Sequence, residues 1–136
     1  MYLKIVKKMQ KVEKKLPNSK LELVFKINEE ELIFNIKFPK TGELIDIEND
    51  KKLIANNNYR GFNLQDNSTS FAKMSIDTIA TFQTLLPDLI SNFNVKNYFE
   101  MELIDMKRLI SVYAKQFLPW YNEWITILSN FEDENE

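Results

Sequence analysis

Three carboxylates alternate along the chain at Asp46, Glu48 and Asp50, a spacing that resembles the first half of a calcium-binding loop. Such a loop needs a glycine at its sixth position and a glutamate at its twelfth, where this chain has Lys51 and Asn57. We therefore interpret the three acids as a solvated helix face. A glycosidase uses one carboxyl group as acid and another as base or nucleophile, but nothing in the sequence singles out such a pair.

The residue types on which most catalytic sites depend are missing. The chain has no histidine and no cysteine, so it offers no imidazole base, no thiolate nucleophile and no ordinary zinc site. Its two glycines, Gly42 and Gly61, are far apart, which excludes a phosphate-binding loop and a dinucleotide fingerprint. We expect a protein that is not an enzyme and that uses no metal and no cofactor.

The first 17 residues are strongly basic, with Glu13 as their one acid. The lysines of this segment are Lys4, Lys7, Lys8, Lys11, Lys14 and Lys15. Apolar residues recur between them at spacings of three and four, which predicts a basic amphipathic helix and a hypothetical docking arm. Lysines attract phosphates, but the segment has no arginine and only Tyr2 for base stacking. A solvated face, or an acidic protein partner, is therefore favoured over nucleic acid.

Large aromatic side chains are concentrated near the end of the chain. Phe117, Trp120, Tyr121 and Trp124 follow Tyr113 at helical spacing. This spacing is more often typical of a core, yet Trp and Tyr are also the residues that anchor protein interfaces. Our hypothesis is that these four residues contact a protein partner, and the sequence leaves open whether they lie in the core or at an interface.

The elements that must position these residues follow from hydrophobic periodicity. Apolar residues alternate over positions 20–28 and 31–38, which predicts a β-hairpin over residues 20–38 with one buried face. Residues 43–131 predict helices, interrupted by a polar loop at 56–70 and followed by an acidic tail at 132–136. Thr41 or Gly42 is the expected cap of the first of these helices, and Pro119 the expected start of the last. Pro87 is expected either to kink a helix or to start a new turn.

The predicted fold is therefore α+β and mostly helical, in a single domain over residues 1–136. An N-terminal amphipathic helix precedes one β-hairpin, and a bundle of four to five helices follows. No apolar run approaches the roughly 20 residues of a membrane-spanning helix, so we expect no membrane contact and a cytoplasmic location.

Several short motifs occur in an order that points to a family. They are FP at 38–39, IEN at 47–49, NY at 58–59, IDTIATF at 76–82, LLPDL at 85–89, VY at 112–113 and QFLPWYN at 116–122. In order and spacing, over about residues 20–128, the chain resembles the tail assembly chaperones of long-tailed bacteriophages. The lysine-rich first helix lies outside that pattern.

The resemblance implies a non-enzymatic, often homo-oligomeric protein in the host cytoplasm. Its partner would be the tape-measure protein, which it would keep soluble while the tail tube assembles, with the loop at 56–70 becoming ordered on binding. The alternative is a small phage structural, inhibitory or nucleic-acid-associated protein that acts through the basic first helix.

Overall fold

The computed structural model describes residues 17–58 and 67–135. Two strands come first, β1 (Lys20–Ile27) and β2 (Glu30–Lys37), followed by helices α1 (Thr41–Asn58) and α2 (Asn67–Leu85). Two 3₁₀ helices, Leu89–Phe93 and Tyr98–Glu100, lead to α3 (Leu103–Val112), a π-helical segment (Tyr113–Phe117) and α4 (Leu118–Asn135). The fold is α+β and mostly helical, as predicted. The basic helix predicted over 1–17 lies outside the described residues, except for Pro17.

The hairpin forms as the alternating pattern predicts, with an uninterrupted antiparallel register from Lys20 opposite Lys37 to Ile27 opposite Glu30. One face carries Leu23, Phe25 and Ile36 into the core. The connecting residues are Asn28 and Glu29, one position earlier than the expected pair at 29–30. Both have positive φ, 52° and 66°, as a two-residue type I′ turn requires.

Helix α1 is longer than predicted at both ends. The Lys40 N–H donates to Oε1 of Glu43 at 2.9 Å, so a glutamate in the first turn satisfies the backbone that precedes the helix. Thr41 and Gly42 therefore lie inside the helix, and their prediction as caps is wrong. The polar loop predicted at 56–70 is also wrong at both edges, because α1 continues to Asn58 and α2 begins at Asn67. Asparagine has low helix propensity, so the asparagine-rich end of α1 and the start of α2 look like loop in the sequence.

Helix α2 is buried along most of its second half. Hydroxyl groups there do not remain unpaired, because Thr78 and Thr81 donate to the carbonyls of Met74 and Asp77 at 2.8 Å. The helix ends at Leu85, and a 3₁₀ helix starts at Leu89. Of the two expectations for Pro87, the new turn is the one observed.

The last two helices form one continuous helical run, joined by the π-helical segment. Tyr113 and Leu118 both have helical dihedral angles, and the Leu118 N–H donates to the carbonyl of Tyr113. Pro119 has no N–H, and in a regular α-helix its ring would clash with the carbonyl four residues earlier. The wider π turn directly before it accommodates this ring. Pro119 is therefore the second residue of α4, and no break separates α4 from the preceding helix.

The core lies between the inner face of the hairpin and the helices. Phe25 packs edge-on against Phe82 of α2, with ring centroids 5.5 Å apart, and Phe82 packs in the same way against Tyr113. Backbone helix extends through residues 132–135, where a separate acidic tail was predicted. No helix among the described residues is long and apolar enough to cross a membrane.

Candidate functional site

The four aromatic residues predicted to bind a partner do not share one environment. Phe117 and Trp120 are buried, with 3% and 8% of their surface exposed. Tyr121 and Trp124 are half-buried and pack against the core. Phe117 and Trp120 are therefore core residues in this structure, and partner contact by any of the four residues stays a prediction.

These aromatic side chains hold the start of the hairpin against α4. The ring of Phe38 lies among Trp120, Tyr121 and Trp124, with centroid separations of 5.4, 5.7 and 4.9 Å. Both indole N–H groups donate to the carbonyl of Asn18, at 2.7 Å from Trp120 and 3.1 Å from Trp124. We call Phe38, Trp120, Tyr121 and Trp124 the aromatic clamp. The large rings at the end of the chain thus pack the segments around Asn18 and Phe38 against α4.

The six lysines predicted to form a docking helix, Lys4, Lys7, Lys8, Lys11, Lys14 and Lys15, lie outside the described residues. The alternating acids Asp46, Glu48 and Asp50 lie on α1, which does not have the shape of a calcium loop. Glu48 pairs with Lys51 at 3.1 Å, and Asp50 accepts a hydrogen bond from Gln83 at 2.9 Å. Within the described segments, no three acidic side chains come together as a metal site would require.

A cleft of about 150 Å³ with both apolar and charged walls lies beside the π-helical segment. Lys51 stands at its wall, between Glu48 at 3.1 Å and Asp77 at 3.9 Å. Burial opposes the charge on Lys51, but Tyr113, Glu48 and Asp77 outweigh it and raise the lysine pKa above 10.5. The amine therefore stays protonated at neutral pH and cannot act as a nucleophile there.

The pKa values of Asp77 and Tyr113, which lie near Lys51, respond mainly to burial. Burial raises the pKa of Asp77 above its ordinary value, and the neighbouring Lys51 and Lys73 only partly reverse that effect. Burial likewise raises the pKa of the Tyr113 hydroxyl. The cleft thus contains a fixed ammonium group held between carboxylates, an arrangement suited to holding α1 against α2 and the π-helical segment.

A second cavity, of about 220 Å³, is lined mostly by apolar side chains. It lies between the first half of α2, the 3₁₀ helix Tyr98–Glu100 and the start of α3. The lining residues are Phe71, Ala72, Ser75, Ile79, Tyr98, Phe99, Met101, Leu103 and Met106. We call this cavity the apolar groove. Its volume is below the 300 Å³ or so at which small-molecule pockets begin, so it fits one or two side chains better than a cofactor.

Tyr98 gives the apolar groove its one unusual polar feature. The residue is 94% buried (6% exposed), and its hydroxyl has no hydrogen-bond partner among the described residues. Burial also raises the pKa of this hydroxyl to about 12. A buried hydroxyl without a partner costs free energy, so Tyr98 lowers the stability of the free protein.

Large apolar side chains continue the groove onto the open surface. Phe99 and Leu103 line it with 57% and 73% of their surface exposed, and the neighbouring Ile104 is 54% exposed. We call these three residues the rim. Leu103 shares an apolar stripe at helical spacing with Met106 and Ile110, which are buried. Leu103 is exposed because it lies in the first turn of α3, beyond the neighbours that cover the rest of the stripe.

The described residues therefore define a class: a small α+β protein in which a clamped hairpin packs on helices that carry an open apolar groove. Comparison with known proteins gives no match to any protein-family model, curated protein or solved structure.

Proposed function

We propose that this chain is a non-enzymatic protein that binds another protein through the apolar groove and its rim. The single observation that carries the proposal is the continuity between a concave, mostly apolar cavity and the exposed side chains Phe99 and Leu103 that line it, next to the exposed Ile104. An exposed apolar patch of this kind typically marks a site that another protein covers on binding.

The proposed occupant is an amphipathic helix of the partner. The groove has mostly apolar walls and room for one or two side chains, which matches the anchor residues of a helix that lies across a surface. The predicted contact residues of the aromatic clamp have a different role in this proposal, because they stabilise the fold that presents the groove.

The partner class that we propose is the tape-measure protein of a long-tailed phage, with this chain as its tail assembly chaperone in the host cytoplasm. Two observations support this assignment: the order of motifs over residues 20–128, and a groove suited to helical clients. A tape-measure protein is long and helical, so before assembly it exposes apolar stripes that a chaperone of this kind would cover. Homo-oligomer formation is part of the same proposal.

Co-expression with a tape-measure fragment tests the function. We expect Ile104→Glu to abolish capture of the fragment, because it places a charge on the rim. Ile45→Glu is the matched control, since Ile45 is also near the start of a helix and has nearly the same exposure, 55% against 54%. Equal capture by both variants, each with an unchanged circular dichroism spectrum, would exclude the rim as the binding site.

A further inference from the structure

The two outer edges of the hairpin differ in how much the rest of the protein covers them. On the outer edge of β1, the amide of Gln116 accepts a hydrogen bond from the Val24 N–H at 2.9 Å and donates to the Val24 carbonyl at 3.0 Å. Strand β1 also packs against α3 and the π-helical segment. The β1 edge is therefore covered, which is the usual fate of an edge in a stable monomer.

The outer edge of β2 has no hydrogen-bonded cover within the described segments, although its last residues line a cavity of about 300 Å³ together with the first turn of α1. Because Val24 directs its backbone groups away from β2, Val24 and Ile33 are a pair that is not hydrogen-bonded within the ladder. The same alternation turns the backbone groups of Glu31, Ile33, Asn35 and Lys37 outward. No described residue bonds to these outward groups, and all four residues are exposed.

We propose that the free edge of β2 pairs with the β2 edge of a second copy of this chain. The strand reads EELIFNIK without a proline, and its register contains no bulge, so nothing in the backbone blocks a further strand. The result is a four-stranded antiparallel sheet in the order β1, β2, β2 of the partner, β1 of the partner, about a twofold axis.

The charged and apolar residues of β2 favour a second copy as the partner strand and determine the register of the pairing. With the axis at Phe34, Glu31 of each copy faces Lys37 of the other, and both are among the outward-directed residues that the pairing requires. On the inner face, Leu32 meets Ile36, and the two Phe34 rings meet each other. Strand β2 is thus complementary to itself in both charge and hydrophobicity.

Two features within one copy favour the same pairing. Lys37 lies opposite Lys20 in its own hairpin, a like-charge pair that an incoming Glu31 would relieve. Leu32 and Phe34 face the core side of the sheet, next to the outer edge of β2, and are only partly buried. A second copy would cover them.

Sedimentation equilibrium of the full chain tests the interface. We expect a dimer, and we expect Glu31→Lys and Lys37→Glu each to raise its dissociation constant by about tenfold or more, because each change makes two like-charge pairs across the axis. The double variant, with both charges exchanged, restores the opposite-charge pairs and should dimerise like the original chain. Glu22→Lys, on the same face of β1, is the control that should leave the dimer intact.

A monomeric chain overturns the proposal, and so does a dimer that survives both single changes. Loss of the dimer in the double variant equally overturns it. Because Glu31 also faces Lys26 across the hairpin, thermal unfolding of each variant checks that the fold is retained. Amide hydrogen exchange at Ile33 and Asn35 gives a second measure, since these amides should be protected in the dimer and unprotected in the single variants. This interface rests on the homo-oligomer of the proposed function and does not involve the apolar groove. A monomeric chain would remove the homo-oligomer from that proposal, whereas partner binding at the groove is tested separately by Ile104→Glu.

Discussion

The side-chain amide of Gln116 forms two hydrogen bonds with the backbone of Val24, 92 positions earlier in the chain. The amide oxygen accepts from the Val24 N–H and the amide nitrogen donates to the Val24 carbonyl, as a neighbouring strand would. Gln116 lies in the π-helical segment, where the wider turn brings its side chain to the sheet edge. One residue therefore links the hairpin to the helical part of the protein.

Replacing Gln116 by Ala should destabilise the protein. Both hydrogen bonds are part-buried, and their loss leaves a backbone donor and acceptor at Val24 without partners, which costs about 1–3 kcal/mol. Guanidinium unfolding measures this change. Lys115→Ala, at the exposed preceding position, is the control and should alter stability by no more than about 0.5 kcal/mol. Equal stabilities of the two variants would show that the amide bonds contribute little.

The aromatic clamp gives a second prediction. Trp120→Ala should cost about 3–5 kcal/mol, because it removes a buried indole and its 2.7 Å hydrogen bond to Asn18. Trp124→Ala should cost clearly less, since Trp124 is only half-buried and its hydrogen bond is longer, 3.1 Å. Thermal unfolding of both variants gives the order. A reversed order would mean that Trp124, rather than Trp120, carries the clamp.

The turn of the hairpin gives a third prediction. Glu29 has φ of 66°, a conformation that is costly for any residue with a Cβ atom and free for glycine. Glu29→Gly should therefore stabilise the protein by about 0.5–1 kcal/mol. The neighbouring Glu30→Gly should destabilise it, because Glu30 is already part of β2 and glycine weakens a strand. Urea unfolding compares the two, and a loss of stability in Glu29→Gly would contradict the turn geometry.

Much of the fold follows from local patterns in the sequence. The alternation in residues 20–38 predicts the hairpin and its buried face because a period of two has a single structural solution. The functional surface does not follow in the same way. Leu103 and Met106 belong to one helical stripe, yet one is 73% exposed and the other 5%, because coverage depends on where neighbouring elements end. Periodicity carries no information about that.

The two tryptophans likewise show that sequence periodicity does not reveal which side chains become buried. Trp120 and Trp124 lie one helical turn apart and look equivalent in the sequence. Their separation into a buried and a half-buried residue depends on Asn18 and Phe38, more than 80 positions away, which meet them only in the folded chain. The π-helical segment also depends on tertiary packing. From the sequence alone, Pro119 is equally compatible with the start of a new helix, which is what was predicted.

Tyr98→Phe should stabilise the protein. The hydroxyl is buried without a partner among the described residues, so its removal should stabilise the free protein by about 1 kcal/mol. Urea unfolding of the variant and the original chain measures this effect. A destabilised Tyr98→Phe variant would mean that the hydroxyl is bonded in solution.

The pH dependence of the same variant provides an independent check. Burial raises the pKa of Tyr98 from 10.0 to about 12, because the phenolate is disfavoured in the apolar groove. A raised pKa contributes stability that is complete below pH 10 and is lost as the pH rises through 12, a loss of about 2–3 kcal/mol. Tyr98→Phe lacks this titration, so its advantage over the original chain should grow between pH 10 and pH 12. Tyr113 titrates in both proteins and cancels from the comparison. Parallel stability curves over that range would show that the Tyr98 hydroxyl is not buried in the groove.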